Sequence, residues 1–219
     1  SREMTPLAAI PGAMIQMGAS VTSTSGYLGL KSITTSSGAM IETDCLAVSG
    51  GWSPNVHLTC HQRGRPTWRD DIAAFVPGGD LPVGMHVAGA GNGSLTLASS
   101  LAEGANVSAN VASDLGFSAT AHAPGAEDQS TEITPFWHVT GKGRAWVDLQ
   151  NDVTVKDVKQ SQAEGFRSVE HLKRYTTLGM ATDQGKTSNV LGLAIMAEAT
   201  GKSIPETGTT IFRPPYSPV

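Results

Sequence analysis

Val147-Asp148-Leu149-Gln150-Asn151-Asp152-Val153-Thr154 opens the stretch whose reading decides the fold, and Thr182-Asp183-Gln184-Gly185-Lys186-Thr187-Ser188-Asn189 closes it. Two short helices are expected between these segments. The first starts at Thr154, whose hydroxyl can cap the free amides of a turn that also carries Asp157 three residues on, and it stops before Gly165. The second is expected to be capped by Ser168 and to stop at Gly179. Its apolar positions Val169, Leu172 and Leu178, with Tyr175 beside them, recur at helical spacing and face a small core. A third helix follows the closing segment, from Asn189 to Ala199.

The closing segment also carries a decoy. Gly185-Lys186-Thr187 imitates the end of a phosphate-binding P-loop, but that motif needs a glycine separated by four residues from its Gly-Lys pair, and position 180 is Met. A helix also precedes it where a strand is required, so a nucleoside triphosphatase is rejected. A more general chemistry survives: Gly185, Lys186, Thr187 and Ser188, with Thr182, stand at a helix start where amides, hydroxyls and an ammonium can hold a phosphate. The alternative is that Thr182 and Ser188 only cap and Lys186 is solvated.

Working back toward the start, residues 1–20 read as the end of a helix, with Leu7-Ala8-Ala9-Ile10 and Met14-Ile15-Gln16-Met17 separated by Pro11-Gly12. Such an opening suggests a domain without its first strand. Ala19 to Ser23 is β-rich, Tyr27 to Thr35 alternates loosely and ends in the turn Ser36-Ser37-Gly38, and Met40 to Val48 reads as a strand buried at its apolar end. Gly50 and Gly51 then let the backbone turn sharply and approach a ligand, or serve as a structural turn only. Residues 59–80, with His61, Arg63, Arg65, Arg69, Asp70 and Asp71, read as a surface excursion.

Met85-His86-Val87-Ala88-Gly89-Ala90-Gly91-Asn92-Gly93-Ser94-Leu95-Thr96 is expected to form a short strand and a glycine turn, followed by a helix to about Leu115. Gly89, Gly91, Gly93, Ser94 and Thr96 then make an anion site, since unpaired amides and the helix dipole both favour phosphate. The segment is not a Gly-x-Gly-x-x-Gly fingerprint, because Ser94 stands at the third glycine. Ala98, Ala102, Ala105, Ala109 and Ala112 give the helix a small-residue stripe suited to close packing on a sheet. Gly116 to Pro135 reads as a linker, and Phe136 to Leu149 as a hairpin or strand pair.

With 16% charged residues, 25 glycines and a net charge of -4, the chain suits a glycine-turn-rich α/β domain and leaves no footprint for nucleic acid. Cys45 and Cys60 read as buried reduced thiols. No apolar run approaches the ~20 residues that span a bilayer, which together with the absence of a signal-like start points to a bacterial cytoplasm.

Three segments carry a resemblance: Gly179 to Ser188, the tail Phe212-Arg213-Pro214-Pro215-Tyr216-Ser217-Pro218-Val219, and Ser49-Gly50-Gly51-Trp52-Ser53-Pro54-Asn55-Val56-His57-Leu58. Together they resemble the alpha subunit of bacterial heterotetrameric sarcosine oxidase, of which this chain looks like an internal piece. Gly51-Trp52-Ser53-Pro54-Asn55 resembles the turn of two-dinucleotide-binding flavoprotein domains. More distantly, the stretch 148–189 resembles small helical BFD-like ferredoxin domains that hold a two-iron cluster on four cysteines. That pattern puts Asp148, Gln150, Asp183 and Ser188 at the thiolate positions, so the cluster is expected to be absent.

The resemblance implies an α/β architecture. Residues 1–118 are the C-terminal part of a Rossmann-like FAD/NAD(P)-binding domain, 119–135 a linker, 136–203 a small helical domain, and 204–219 the lead-in to a folate-binding domain. It implies NAD at the dinucleotide site and FMN between alpha and beta subunits, with its phosphate at the helix start after Thr182. FAD and tetrahydrofolate are implied elsewhere in a complex of the remaining alpha subunit with beta, gamma and delta subunits. No metal site and no catalytic residue is expected in this chain. Two other readings stay open: an interaction or redox-adaptor module, and an alpha-like subunit of another heteromeric amino-acid dehydrogenase.

Overall fold

The computed structural model describes residues 11–216 apart from 80, 132 and 211, so Leu7 to Ile10 and Ser217 to Val219 lie outside the described residues. The chain divides into two compact units, Ser1–Val48 with Val139–Gly143, and Ser49–His138 with Arg144–Val219.

The first unit is an antiparallel sheet in the order β1 (Val21–Ser25), β2 (Ser32–Thr35), β3 (Met40–Glu42). The expected turn after Thr35 is present, with the Gly38 amide donating to the Thr35 carbonyl. Two expectations fail. Residues 13–16 form no helix, and Met14 and Met17 are exposed. The strand expected to run to Val48 stops at Glu42, and Cys45, Leu46 and Val48 are exposed. A continuous apolar strand is buried where a sheet has both faces covered, and no described strand pairs with residues 43–48.

The second unit begins with residues that sequence reading left on the surface. A 3-10 turn at His61–Arg63 leads into a hairpin of β4 (Thr67–Arg69) and β5 (Ala74–Val76), with Trp68 opposite Phe75 and their rings edge to face at 5.0 Å. Ile72, Ala74, Phe75 and Val76 are buried. The charges misled because they occupy the turns and outward positions while the strand between them is apolar. A second 3-10 turn, Gly89–Asn92, replaces the strand and turn expected from Met85, and α1 (Leu97–Asp114) follows it as foreseen. No α1 residue is fully buried, so the alanine stripe is not packed on a sheet.

Residues 117–145 carry no regular element among those described, and the strand pair expected from Phe136 is instead β6 (Trp146–Asp148) with β7 (Val153–Thr154). Three helices follow: α2 (Val155–Ala163), α3 (Val169–Thr176) and α4 (Asn189–Thr200). Thr154 caps α2 as expected, its amide and hydroxyl both donating to the Asp157 carboxylate at 2.8 and 2.6 Å. Ser168 makes no side-chain cap, and α3 ends at Thr176, before Gly179, with Thr177 in the left-handed region. A final turn, α5 (Ile204–Thr207), is capped by Ser203 with Glu206. Val147, Val153, Val158, Leu172, Leu178, Ile195 and Met196 form the core shared by these helices, and Val56, Cys60, Phe75, Val169, Leu193 and Phe212 join it to the hairpin. Cys60 is therefore buried as expected and Cys45 is not.

Candidate functional site

Loops between the second unit's elements hold most of the residues singled out from sequence, and a carboxylate of the chain itself sits in each of three of them. Asp183 fills the closing segment. Its Oδ1 accepts from the Gly185 amide at 3.0 Å, and its Oδ2 accepts from the Thr187 amide and hydroxyl at 3.2 and 2.8 Å. Burial works against the charge, but these donors, with Lys186 nearby, hold the Asp183 carboxyl below its ordinary range.

Asp148 is the second. It is 3% exposed, its Oδ1 accepts from the Gln150 and Asn151 amides at 2.9 and 3.1 Å, and its Oδ2 accepts from the Gly179 amide at 2.8 Å and the Ser188 hydroxyl at 3.4 Å. The Thr182 hydroxyl donates to Gln150 Oε1 at 3.3 Å. Positions 148 and 188, and the loops carrying 150 and 183, thus meet in one place. Their side chains are hard oxygen and amide groups, which exclude a thiolate-bound cluster, and no metal-holding group of His, Cys, Asp or Glu occurs among the described residues.

Glu103, two turns into α1, is the third. Its oxygens accept from the Gly89 amide at 2.7 Å and the Asn92 side chain at 2.5 Å. Burial opposes its charge, and hydrogen bonds from Asn92, Ser94 and Gly89 outweigh this and lower its pKa. Glycine turns with spare amides attract anions, and here α1 brings the anion. Sequence reading found the cradle but missed Glu103, although a carboxylate two helical turns beyond the N-cap was the available signal.

The remaining expected residues have settled positions. Gly93 is held at φ 85, and a Cβ there would meet Val76 Cγ1 at 2.7 Å, so this glycine serves packing against the hairpin. Gly91 lies beside Val87, and the Ser94 carbonyl accepts from the Ser100 hydroxyl at 2.7 Å. Thr96 is used as the cap of α1, accepting from the Ser99 amide at 3.0 Å. Gly50 and Gly51 are exposed, with nothing within 4 Å of a Cβ at either. Lys186 Nζ donates to the Arg213 carbonyl at 2.5 Å. Gly185 and Ser188 are buried, and Thr187, though exposed, gives its amide and hydroxyl to Asp183, which leaves Lys186 and Thr182 as the accessible side chains of the closing segment.

Residues 142–219 match the family model of the sarcosine oxidase A3 domain. The chain is 42% identical over 206 residues to the sarcosine oxidase subunit alpha of Rhizobium meliloti, covering 91% of this chain and 21% of that protein. This chain is a relative of sarcosine oxidase alpha subunits. It is also 44% identical over 188 residues to the subunit alpha of Corynebacterium sp. strain U-96, covering 81% of this chain and 19% of that one. It thus spans about a fifth of the length of the alpha subunits it matches. The three carboxylate-filled turns divide between the parts: Asp148 and Asp183 lie in the A3 match, and Glu103 lies before it. An L-proline dehydrogenase structure from P. horikoshii shares the fold, with a TM-score of 0.67 at 20% identity over 91% of this chain and 43% of that chain.

Proposed function

We propose that this chain is a structural, cofactor-holding part of the alpha subunit of a heteromeric flavoenzyme that oxidises sarcosine to glycine. Oxygen is reduced to hydrogen peroxide, and the one-carbon unit passes to tetrahydrofolate. The observation that carries this reading is 42% identity over nine-tenths of the chain to a sarcosine oxidase alpha subunit. In this reading the chain holds cofactor, and the chemistry is supplied by a flavin in the beta subunit.

In this reading Gly50 and Gly51 offer unobstructed backbone to an NAD dinucleotide, while the Gly89 amide is engaged by Glu103 and leaves the pyrophosphate to other residues. FMN sits between alpha and beta subunits with its phosphate toward Lys186, Thr182 and Thr187. FAD, tetrahydrofolate and the gamma and delta subunits belong elsewhere in a cytoplasmic complex. The Asp148 knot is the remnant of a BFD-like cluster loop, in which hydrogen bonds replace metal-ligand bonds. The shared fold with an L-proline dehydrogenase favours a second reading, an alpha-like subunit of another amino-acid dehydrogenase.

Native mass spectrometry of the protein from its source tests the proposal. An assembly with further subunits, flavin and nicotinamide masses is the expected result, and a lone cofactor-free particle overturns it in favour of an interaction module. Sarcosine against proline turnover by that assembly separates the two enzyme readings.

A further inference from the structure

Asn92-Gly93 is the chain's single asparagine–glycine pair, and it closes the Gly89–Asn92 turn that Glu103 fills. Asparagine is a thermolabile residue. The backbone nitrogen that follows it can attack its side-chain carbonyl carbon, and a glycine there puts no side chain in the way. Separate contacts fix each member of this pair. Gly93 is buried at φ 85, and a Cβ there would meet Val76 Cγ1 at 2.7 Å, so packing against the β4–β5 hairpin favours glycine. Asn92 supplies the Nδ2 donor that Glu103 Oε1 accepts at 2.5 Å. Packing on one side and hydrogen bonding on the other thus place a labile pair in a turn that is exposed to solvent at Ala90.

We infer that Asn92 is a deamidation site and that Glu103 holds it in check. In the reaction the Gly93 nitrogen loses its proton to solvent and bonds to Asn92 Cγ, the Cγ–Nδ2 bond breaks, and the side-chain nitrogen takes up a proton and leaves as ammonia. Water then opens the succinimide ring to aspartate or isoaspartate. Two hydrogen bonds must break before the first step. The Gly93 amide donates to the Ala90 carbonyl at 3.1 Å, and the Asn92 amide is held out toward α1 by Glu103. Burial opposes the Glu103 charge, but the bonds from Asn92, Ser94 and Gly89 keep its pKa below the ordinary value, so the restraining acceptor is ionised at neutral pH. Deamidation reverses the contact that restrained it. Residue 92 changes from a donor to a second carboxylate facing Glu103, like charges at that distance repel, and Glu103 withdraws from the Gly89 amide that it otherwise holds at 2.7 Å. The modification runs one way and opens a turn that the intact amide keeps closed.

Incubation of the purified protein at neutral pH, followed by mass spectrometry of the peptide that carries residue 92, tests the guarding role. Aspartate and isoaspartate are expected to accumulate there about tenfold faster or more in Glu103→Ala than in the unchanged protein. Glu103→Gln keeps a neutral acceptor and should accelerate the reaction less. Asn110 on α1 and Asn151 in the loop after β6 report general loosening of the fold, and both should keep their rates. Equal rates at residue 92 with and without Glu103, or the same acceleration at Asn110 and Asn151, overturns the inference. Asn92→Asp makes the product directly, and hydrogen exchange at the Gly89 amide is expected to rise about tenfold in it. An unchanged Gly89 amide in that variant overturns the release of Glu103.

Discussion

The Asp148 carboxylate accepts a hydrogen bond from the Ser188 hydroxyl across forty residues of chain, at 3.4 Å and with both side chains buried. It ties the end of β6 to the start of α4. Because the same carboxylate also receives three amides, it organises two loops. Asp148→Asn keeps the shape but leaves one oxygen for four donors. Buried donors without acceptors are costly, so the substitution is expected to lower unfolding free energy by about 2 kcal/mol in urea titrations. Ser188→Ala removes one donor from an acceptor that keeps three, and its expected cost is about 1 kcal/mol or less.

Gly179 and Gly185 face the same neighbour. Both have positive φ, 65 and 77, and a Cβ on either would lie within 2.2 Å of the Asn189 side chain. Gly185→Ala therefore meets backbone strain and a clash together, with an expected loss of about 2 to 3 kcal/mol. Adding Asn189→Ala removes the clash and leaves the strain. The double variant should recover part of the loss in thermal melts, and no recovery would show that the clash relaxes at no cost.

Local signals in the segment that matches the A3 domain were legible because they act over three or four residues. Thr154 with Asp157 announces the α2 cap, and Val169 and Leu172 give the helical period of α3, while Leu178, past its end, joins Leu172 in the core. Cys45 to Val48 was not legible, since an apolar run says that a strand could be buried without saying what pairs with it. Phe75 and Val76 were hidden among charges for the converse reason: hairpin pairing set which side faces the core. At the candidate site, glycines and hydroxyls marked where an anion would sit. Which anion arrives is decided by Glu103, fourteen residues from Gly89, and by Asp183, only two residues from Gly185 and already in the quoted segment.

Glu103 offers a direct check on that competition. Glu103→Gln replaces the charge with an amide that can still accept from Gly89, whereas Glu103→Ala leaves the Gly89 amide and Asn92 without their acceptor. The alanine variant is expected to lose about 1 to 2 kcal/mol of stability and to gain affinity for pyrophosphate, read by amide shifts at Gly89. Unchanged shifts in the alanine variant on adding pyrophosphate would show that the turn collapses without its carboxylate.

Acid links two of the filled turns to stability. Glu103 and Asp183 have folded pKa values below their ordinary ones, through the hydrogen bonds at Asn92 and Gly89 and at Gly185 and Thr187 that outweigh burial. A depressed carboxyl contributes stability that is fully present above its unfolded pKa and lost as pH falls through the folded one. The contribution is thus complete at neutral pH and fades from roughly pH 4 downward. Amide shifts of Gly89, Gly185 and Thr187 should move together with falling stability in that window. In Asp183→Asn the Gly185 and Thr187 amides should no longer titrate while Gly89 still does, and titration of all three in that variant would assign the acid effect to another group.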